Sequence, residues 1–232
     1  MGFRANVSVS FAQAAGTPLV ALTALQALRD KAQLQAGQRL LVYGASGGVG
    51  SFAVQIAKAL GAHVTAAASG RNRELVAGLG ADEVLDYTRD DIGAHRERYD
   101  VIFDAVNALS YGKVRPALHP GGVMVSVNPF IEKLSPAWLA RFRDGRRLRS
   151  LFVQPSGADL AQLAAWIAAG RLRPLLDRTY PLAEAAAAHI YSATGRARGK
   201  LVLTVDPALA DNQIDAVRLA VANPQIAVMA AM

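Results

Sequence analysis

Short β-rich apolar runs alternate with amphipathic stretches along most of the 232 residues. Runs at 39–43, 63–67 and 83–85 are separated by the stretches 51–60 and 71–79, whose apolar positions recur at helical spacing. The run at 100–106 (DVIFDAV) is continuous rather than alternating, the pattern of a strand covered on both faces. Farther on, 113–118 reads as a helix stopped by Pro120, Gly121 and Gly122. Residues 123–127 and 148–153 read as strands, and 158–169 as a helix ending at Gly170. Strands alternating with helices predict βαβ units and a parallel sheet, so the expected fold class is doubly wound α/β. Two ends depart from this rhythm. Residues 18–31 read as a helix with Pro18 in its first turn, where proline is tolerated. After Leu172 come a run at 175–176, a helix at 182–192 and a strand at 199–205, which read as a return into a second, smaller lobe.

Composition narrows the classes. With 52% hydrophobic and 19% charged residues the chain is not of the disordered type. It has no cysteine, which excludes disulfides, thiolate metal sites, iron–sulfur clusters and a cysteine nucleophile. The net charge of +7 suits nucleic acid, a membrane surface or a polyanionic small ligand. Arg141, Arg143, Arg146, Arg147 and Arg149 crowd together, but only Phe142 is interleaved with them. A nucleic-acid surface wants stacking aromatics, so the cluster reads as a solvated loop leading into a strand and no nucleic-acid partner is expected. No leader-like segment stands out, and the apolar stretch 214–232 is broken by Asp215, Arg218, Asn223 and Pro224. No membrane association and a cytoplasmic location are the expectation.

The strongest chemical signal is Gly44-Ala45-Ser46-Gly47-Gly48-Val49-Gly50, directly after a predicted strand and opening a predicted helix. A dinucleotide pyrophosphate sits against helix N-terminal amides, and glycines let the backbone turn, approach the phosphates and pack the helix on the sheet. The same residues satisfy the G-x-S-x-G elbow of serine hydrolases, which needs a later acid and then a histidine; the last is His189, in a helical stretch. A P-loop needs a Lys before Ser51, and Gly50 stands there. About twenty residues after the loop, an NAD site places a carboxylate on the ribose 2′-hydroxyl. This chain reads Ser69-Gly70-Arg71-Asn72-Arg73 instead, with no carboxylate before Glu74. Arginine pairs with a 2′-phosphate through charge-assisted hydrogen bonds, so NADPH is favoured over NADH.

Residues 11–27 (FAQAAGTPLVALTALQA), 44–59, 79–87 (LGADEVLDY), 99–106 (YDVIFDAV) and 173–205 together resemble the medium-chain dehydrogenase/reductase superfamily, in particular its zinc-independent quinone oxidoreductase branch. The resemblance implies a cofactor domain inserted into a GroES-like catalytic lobe, with NADPH held on Ser46, Gly47, Gly48 and Val49. It puts the 2′-phosphate near Ser69, Arg71, Asn72 and Tyr87, and Thr23, Val106 and the backbone after Val127 near the nicotinamide. Asn107 and Asn128 stand where the family commonly has glycine, and either would crowd the cofactor or add an amide hydrogen bond. The implied division is a linking segment and helix at 1–30, a dinucleotide-binding domain at 31–172, a return to the catalytic lobe at 173–206 and an extension at 207–232 with no assigned role. Only 43 residues precede Gly44, where the family places most of its catalytic lobe, so this sequence is expected to carry little of that lobe.

No catalytic acid or base emerges. His63, His95, His119 and His189 show no metal-ligand spacing, and no metal is expected. No Tyr-x-x-x-Lys pair of the short-chain dehydrogenase type exists, since the residues four after each tyrosine are Gly47, Asp91, Phe103, Arg115, Glu184 and Gly195. The function expected is hydride transfer from NADPH to a quinone, enone or similar small carbonyl acceptor, carried by cofactor positioning. The alternative is an NADPH-binding module with weak or no catalysis. The run at 148–153 would close the sheet with an open edge, which predicts a homodimer, although Arg146, Arg147 and Arg149 beside it oppose close pairing.

Overall fold

A computed structural model describes residues 8–128, 144–206, 208 and 211–215. The described residues fall into two compact units, one of Thr23–Val153 and one of the residues before Thr23 together with those from Gln154 onward.

In chain order the first elements are β1 (Ser8–Ser10), α1 (Phe11–Ala15) and α2 (Pro18–Gln26), followed by a π-type turn, Ala27–Lys31. The unit of Thr23–Val153 then continues with β2 (Arg39–Tyr43), α3 (Gly48–Ala59), β3 (His63–Ala68), α4 (Arg73–Gly78) and β4 (Glu83–Asp86). It closes with β5 (Tyr99–Asp104), α5 (Tyr111–Val114), β6 (Leu118–Ser126) and β7 (Arg147–Ser150). Its six strands are all parallel, in the order β4-β3-β2-β5-β6-β7. The first strand lies in the middle and the winding reverses between β2 and β5, the doubly wound arrangement expected from the alternating pattern.

Burial explains the continuous runs. Leu40, Leu41, Val42, Val101, Ile102, Phe103, Val123, Met124 and Val125 are all buried, because layers cover both faces of these central strands. On α3, Phe52, Ala53, Val54, Ile56 and Ala57 turn inward, and the helix ends where Gly61 takes φ +83°. Another face is closed by short pieces: Ile92, Tyr111, Val114 and Ala117 pack with Leu41, Ile102, Met124 and Leu148. The helix expected at 113–118 is therefore short. After Val114 the chain tightens into a 3₁₀ turn, Arg115–Ala117, because Pro116 cannot continue α-helical bonding.

The arginine cluster is not a uniformly solvated loop. Arg146 is only 8% exposed; its Nε donates to the Leu118 carbonyl at 2.8 Å and its Nη2 to Glu97 at 3.0 Å, with Asp144 also paired to it. Arg115 donates to the same Asp144 at 2.5 Å. Burial works against the Asp144 charge, but hydrogen bonds from Arg146 and the two guanidinium charges hold its carboxyl below the ordinary value. Arg147 is exposed, and Arg141, Phe142 and Arg143 lie outside the described residues.

In the other unit, Ser10 caps α1 reciprocally with Gln13. Here α6 (Gly157–Ala168) is followed by β8 (Leu176–Pro181), α7 (Ala185–Ala193) and β9 (Lys200–Thr204), with β8 and β9 parallel. A strand the sequence reading did not foresee, β10 (Gln213–Asp215), pairs antiparallel with β1.

Candidate functional site

The candidate site is the rim formed by the carboxyl ends of the parallel strands. Tyr43 pairs in register with Ala67 and Asp104, Ala68 with Asp86, and Asp104 with Ser126, so the loops after β2, β3, β4, β5 and β6 leave the sheet side by side. In open parallel sheets ligands lie in this crevice, at the point where the winding reverses.

The loop after β2 is built around two glycines that the fold itself requires. Gly44 has φ +79°, and a Cβ there would lie 2.6 Å from Val106 Cγ1. A Cβ on Gly50 would lie 2.1 Å from the Gly44 carbonyl oxygen, so Gly50 is what lets α3 pack on the loop. Gly47 differs. Its backbone is extended (φ −83°, ψ 179°), and a Cβ would stand 3.5 Å from the Gly44 oxygen, an ordinary contact. The protein's own packing does not demand a glycine at that position. Gly47 is also the N-cap of α3, and no described side chain caps the helix. The first amides of α3, at Gly48, Val49 and Gly50, thus start a helix with no intrahelical acceptor and no capping side chain.

The loop after β3 meets it. Asn72, 4% exposed, donates from Nδ2 to Ser46 Oγ at 2.9 Å and to Ser69 Oγ at 3.3 Å. Arg71 is exposed and pairs with none of the described residues. Arg73, expected beside Arg71 as a second cation for phosphate, instead donates to the Val84 carbonyl at 3.3 Å. One carboxylate that sequence reasoning missed arrives from the neighbouring strand. Asp86 ends β4 opposite Ala68, and a Cβ on Gly70 would touch its Oδ2 at 2.6 Å. The Thr88 hydroxyl and amide, with the Gly70 amide, hold the Asp86 carboxyl below its ordinary value. The signal was strand adjacency, which no local window of sequence carries. Tyr87 follows, 43% exposed, its ring 5.5 Å from that of Tyr43. Burial first, then Tyr87 and Asp104, raise the Tyr43 phenol above its usual value.

After β5 the organiser is Asp104, fully buried, which accepts from the amides of Val106 and Ala108 at 3.2 Å and of Leu109 at 2.9 Å. Asn107 takes φ +55°, the left-handed region that glycine or asparagine tolerates, which accounts for asparagine at a glycine position. Val106 is exposed and lies over Gly44. After β6, Val127 donates to the Asp104 carbonyl and Asn128 to the hydroxyl of buried Ser126, each at 3.2 Å. The backbone from 129 to 143 lies outside the described residues. Thr23 is buried on α2, apart in sequence from these loops.

The hydrolase reading finds no support in this geometry. Ser46 Oγ is hydrogen-bonded to Asn72, while His63, His95 and His119 stand at or near the amino ends of β3, β5 and β6. No described group of three His, Cys, Asp or Glu side chains could hold a metal ion, and among the described residues no helix is long and apolar enough to cross a membrane.

Comparison with known proteins follows the same direction. Residues 79–203 match a family of zinc-binding dehydrogenases. A mitochondrial NAD(P)H oxidoreductase of Mus musculus is 37% identical over 85% of this chain and 57% of its own length. A chloroplast envelope quinone oxidoreductase homolog of Arabidopsis thaliana is 34% identical over 84% of this chain and 62% of its own. The solved quinone oxidoreductase of Coxiella burnetii superposes with a TM-score of 0.77 at 34% identity, covering 85% of this chain and 62% of that one. The chain thus spans a little over half the length of the curated relatives it matches. The family description names zinc, but the cysteine-free sequence and the separated histidines do not fit a zinc ligand set. By its glycine loop, its strand order and these matches, the chain belongs to the medium-chain dehydrogenase/reductase superfamily and is a quinone oxidoreductase-like member of it.

Proposed function

We propose that Thr23–Val153 holds NADPH on the rim described above, and that the protein passes hydride, without zinc, to a quinone, enone or similar small acceptor. The observation that carries this reading is Gly47, an uncapped helix start at the switch point where the fold would accept a Cβ and the sequence has none. Gly47, Gly48 and Val49 would meet the pyrophosphate through backbone amides, and exposed Arg71, with Ser69 and Tyr87 nearby, would take the 2′-phosphate. Val106, Asn107, Val127 and Asn128 would flank the nicotinamide on loops held by Asp104, with Thr23 as a further contact. A reduced nicotinamide supplies hydride to an electrophilic carbon, and solvent can supply the balancing proton. The chain's own contribution is then orientation rather than proton transfer, consistent with rim loops whose described residues include no histidine or lysine. A homodimer along the β7 edge and a cytoplasmic setting belong to the same proposal, although the two curated relatives above carry mitochondrial and chloroplast names.

Asp86 beside Gly70 favours a second reading on one point, since a carboxylate there suits the 2′-hydroxyl of NADH. The test is NADPH and NADH oxidation by the full chain against a panel of quinones and enones. Turnover above background with NADPH supports the proposal. Faster turnover with NADH reverses the cofactor assignment, and cofactor binding with no turnover on any acceptor makes the protein a binding module.

A further inference from the structure

The family resemblance implies a place for Asn72 beside the 2′-phosphate, but its hydrogen bonds give it a different task. Both amide hydrogens are already committed, one set of contacts reaching Ser46 Oγ at 2.9 Å on the glycine loop and the other Ser69 Oγ at 3.3 Å after β3. Its own backbone amide donates to the Ser69 carbonyl at 2.8 Å. What remains of the side chain is Oδ1, buried and without a partner among the described residues. An amide oxygen is an acceptor only, as are the oxygens of an ionised phosphate, so this group cannot bind the 2′-phosphate. Asn72 is also 4% exposed, while Arg71 beside it is exposed and has no described partner. The two neighbours therefore divide the work: Arg71 faces the ligand and Asn72 faces the protein.

We infer that Asn72 is a positioning residue, a clamp that fixes the spacing between the pyrophosphate loop and the ribose loop and so acts on both nicotinamide dinucleotides alike. This rests on the cofactor reading of the preceding section. Ser46 and Ser69 sit on loops from adjacent strands, β2 and β3, and among the described residues no other side-chain hydrogen bond joins those two loops. Because the pyrophosphate is common to NADPH and NADH, loosening this spacing weakens both and leaves their ratio unchanged. Losing a direct 2′-phosphate ligand would instead change the ratio.

The test is titration of NADPH and NADH into the full chain and its variants, read by nicotinamide fluorescence, with circular dichroism to establish folding. Asn72→Ala should raise both dissociation constants by a similar factor, about tenfold for one lost buried hydrogen-bonding group. The Ser46→Ala/Asn72→Ala pair should be no weaker than Asn72→Ala alone, since the Ser46 bond is already lost in that single variant. Asn72→Asp keeps the shape and lets both serine hydroxyls donate to a carboxylate, so it should hold NADH better than Asn72→Ala does. It also serves if the alanine variant does not fold. Selective loss of NADPH in Asn72→Ala, no loss of either cofactor, additive effects in the double variant, or NADH held worse by Asp than by Ala would each overturn the clamp. Failure of the unaltered chain to bind either dinucleotide would overturn the cofactor reading itself, and the clamp with it.

Discussion

Two alanine substitutions three residues apart should separate the glycine the fold needs from the glycine a ligand needs. In Gly50→Ala the new methyl would lie 2.1 Å from the Gly44 carbonyl oxygen and 2.8 Å from Ala45 Cα, both backbone atoms of a buried turn. Alanine is a better helix former than glycine by about 1 kcal/mol. Overpacking against backbone costs about 1–3 kcal/mol or more, and atoms this close with no flexible side chain to yield belong at or beyond the upper end. The net expectation is a loss of about 2 kcal/mol or more, or roughly 4–8 °C in melting temperature for a chain of this size. In Gly47→Ala the methyl would meet its nearest atom at 3.5 Å, and the extended backbone suits any residue. Losing a glycine N-cap and gaining a stiffer unfolded chain roughly cancel, so stability should stay within about 1 kcal/mol of the parent. NADPH, however, would meet the methyl where it approaches the amides, and affinity should fall at least about tenfold. Thermal unfolding and NADPH titration of both variants are the assays. A Gly47→Ala protein that binds NADPH like the parent would refute the ligand argument, and a Gly50→Ala protein of parental stability would refute the packing argument.

Arg71→Ala should weaken NADPH about five- to thirtyfold, the loss of about 1–2 kcal/mol for a charge-assisted pair discounted for exposure, while NADH changes little; equal losses in paired titrations would make Arg71 structural. Arg146→Ala leaves the Leu118 carbonyl without its buried donor and Asp144 paired with Arg115 alone, and should cost about 1–3 kcal/mol in denaturant unfolding. Because the folded Asp144 carboxyl lies below its ordinary 3.8, its contribution is fully present above that value and is lost as pH falls through the folded one. Asp144→Asn should flatten that acid limb of the stability profile, and an unchanged limb would assign it to other carboxylates. For the β7 edge, light scattering over a range of concentrations should give a dimer mass; a monomer throughout would recast exposed Arg147 as edge protection.

What the sequence made legible was local. The buried strands β2, β3 and β5 were visible because parallel strands covered on both faces read as unbroken apolar runs, and the glycine loop because its spacing sits between such a run and an amphipathic helix. What stayed hidden depends on partners distant in the chain. Arg146 looks like its exposed neighbours until the chain brings Leu118, Glu97 and Asp144 around it. Asp86 and Gly70 are sixteen positions apart and meet only because β3 and β4 are adjacent. The same holds for Asn72, whose composition suggests a polar surface residue and whose burial against Ser46 follows from the register of β2 on β3. The β1–β10 pairing joins segments about two hundred residues apart, beyond the reach of any periodicity.

Calorimetric titration of NADPH into the full chain tests the central claim most directly, that the uncapped start of α3 and its flanking loops form a dinucleotide site. The geometry predicts saturable binding at one site per chain, with a dissociation constant of about 1–100 µM, weakened in Gly47→Ala. A folded chain that gives no saturable binding at millimolar NADPH or NADH would contradict it.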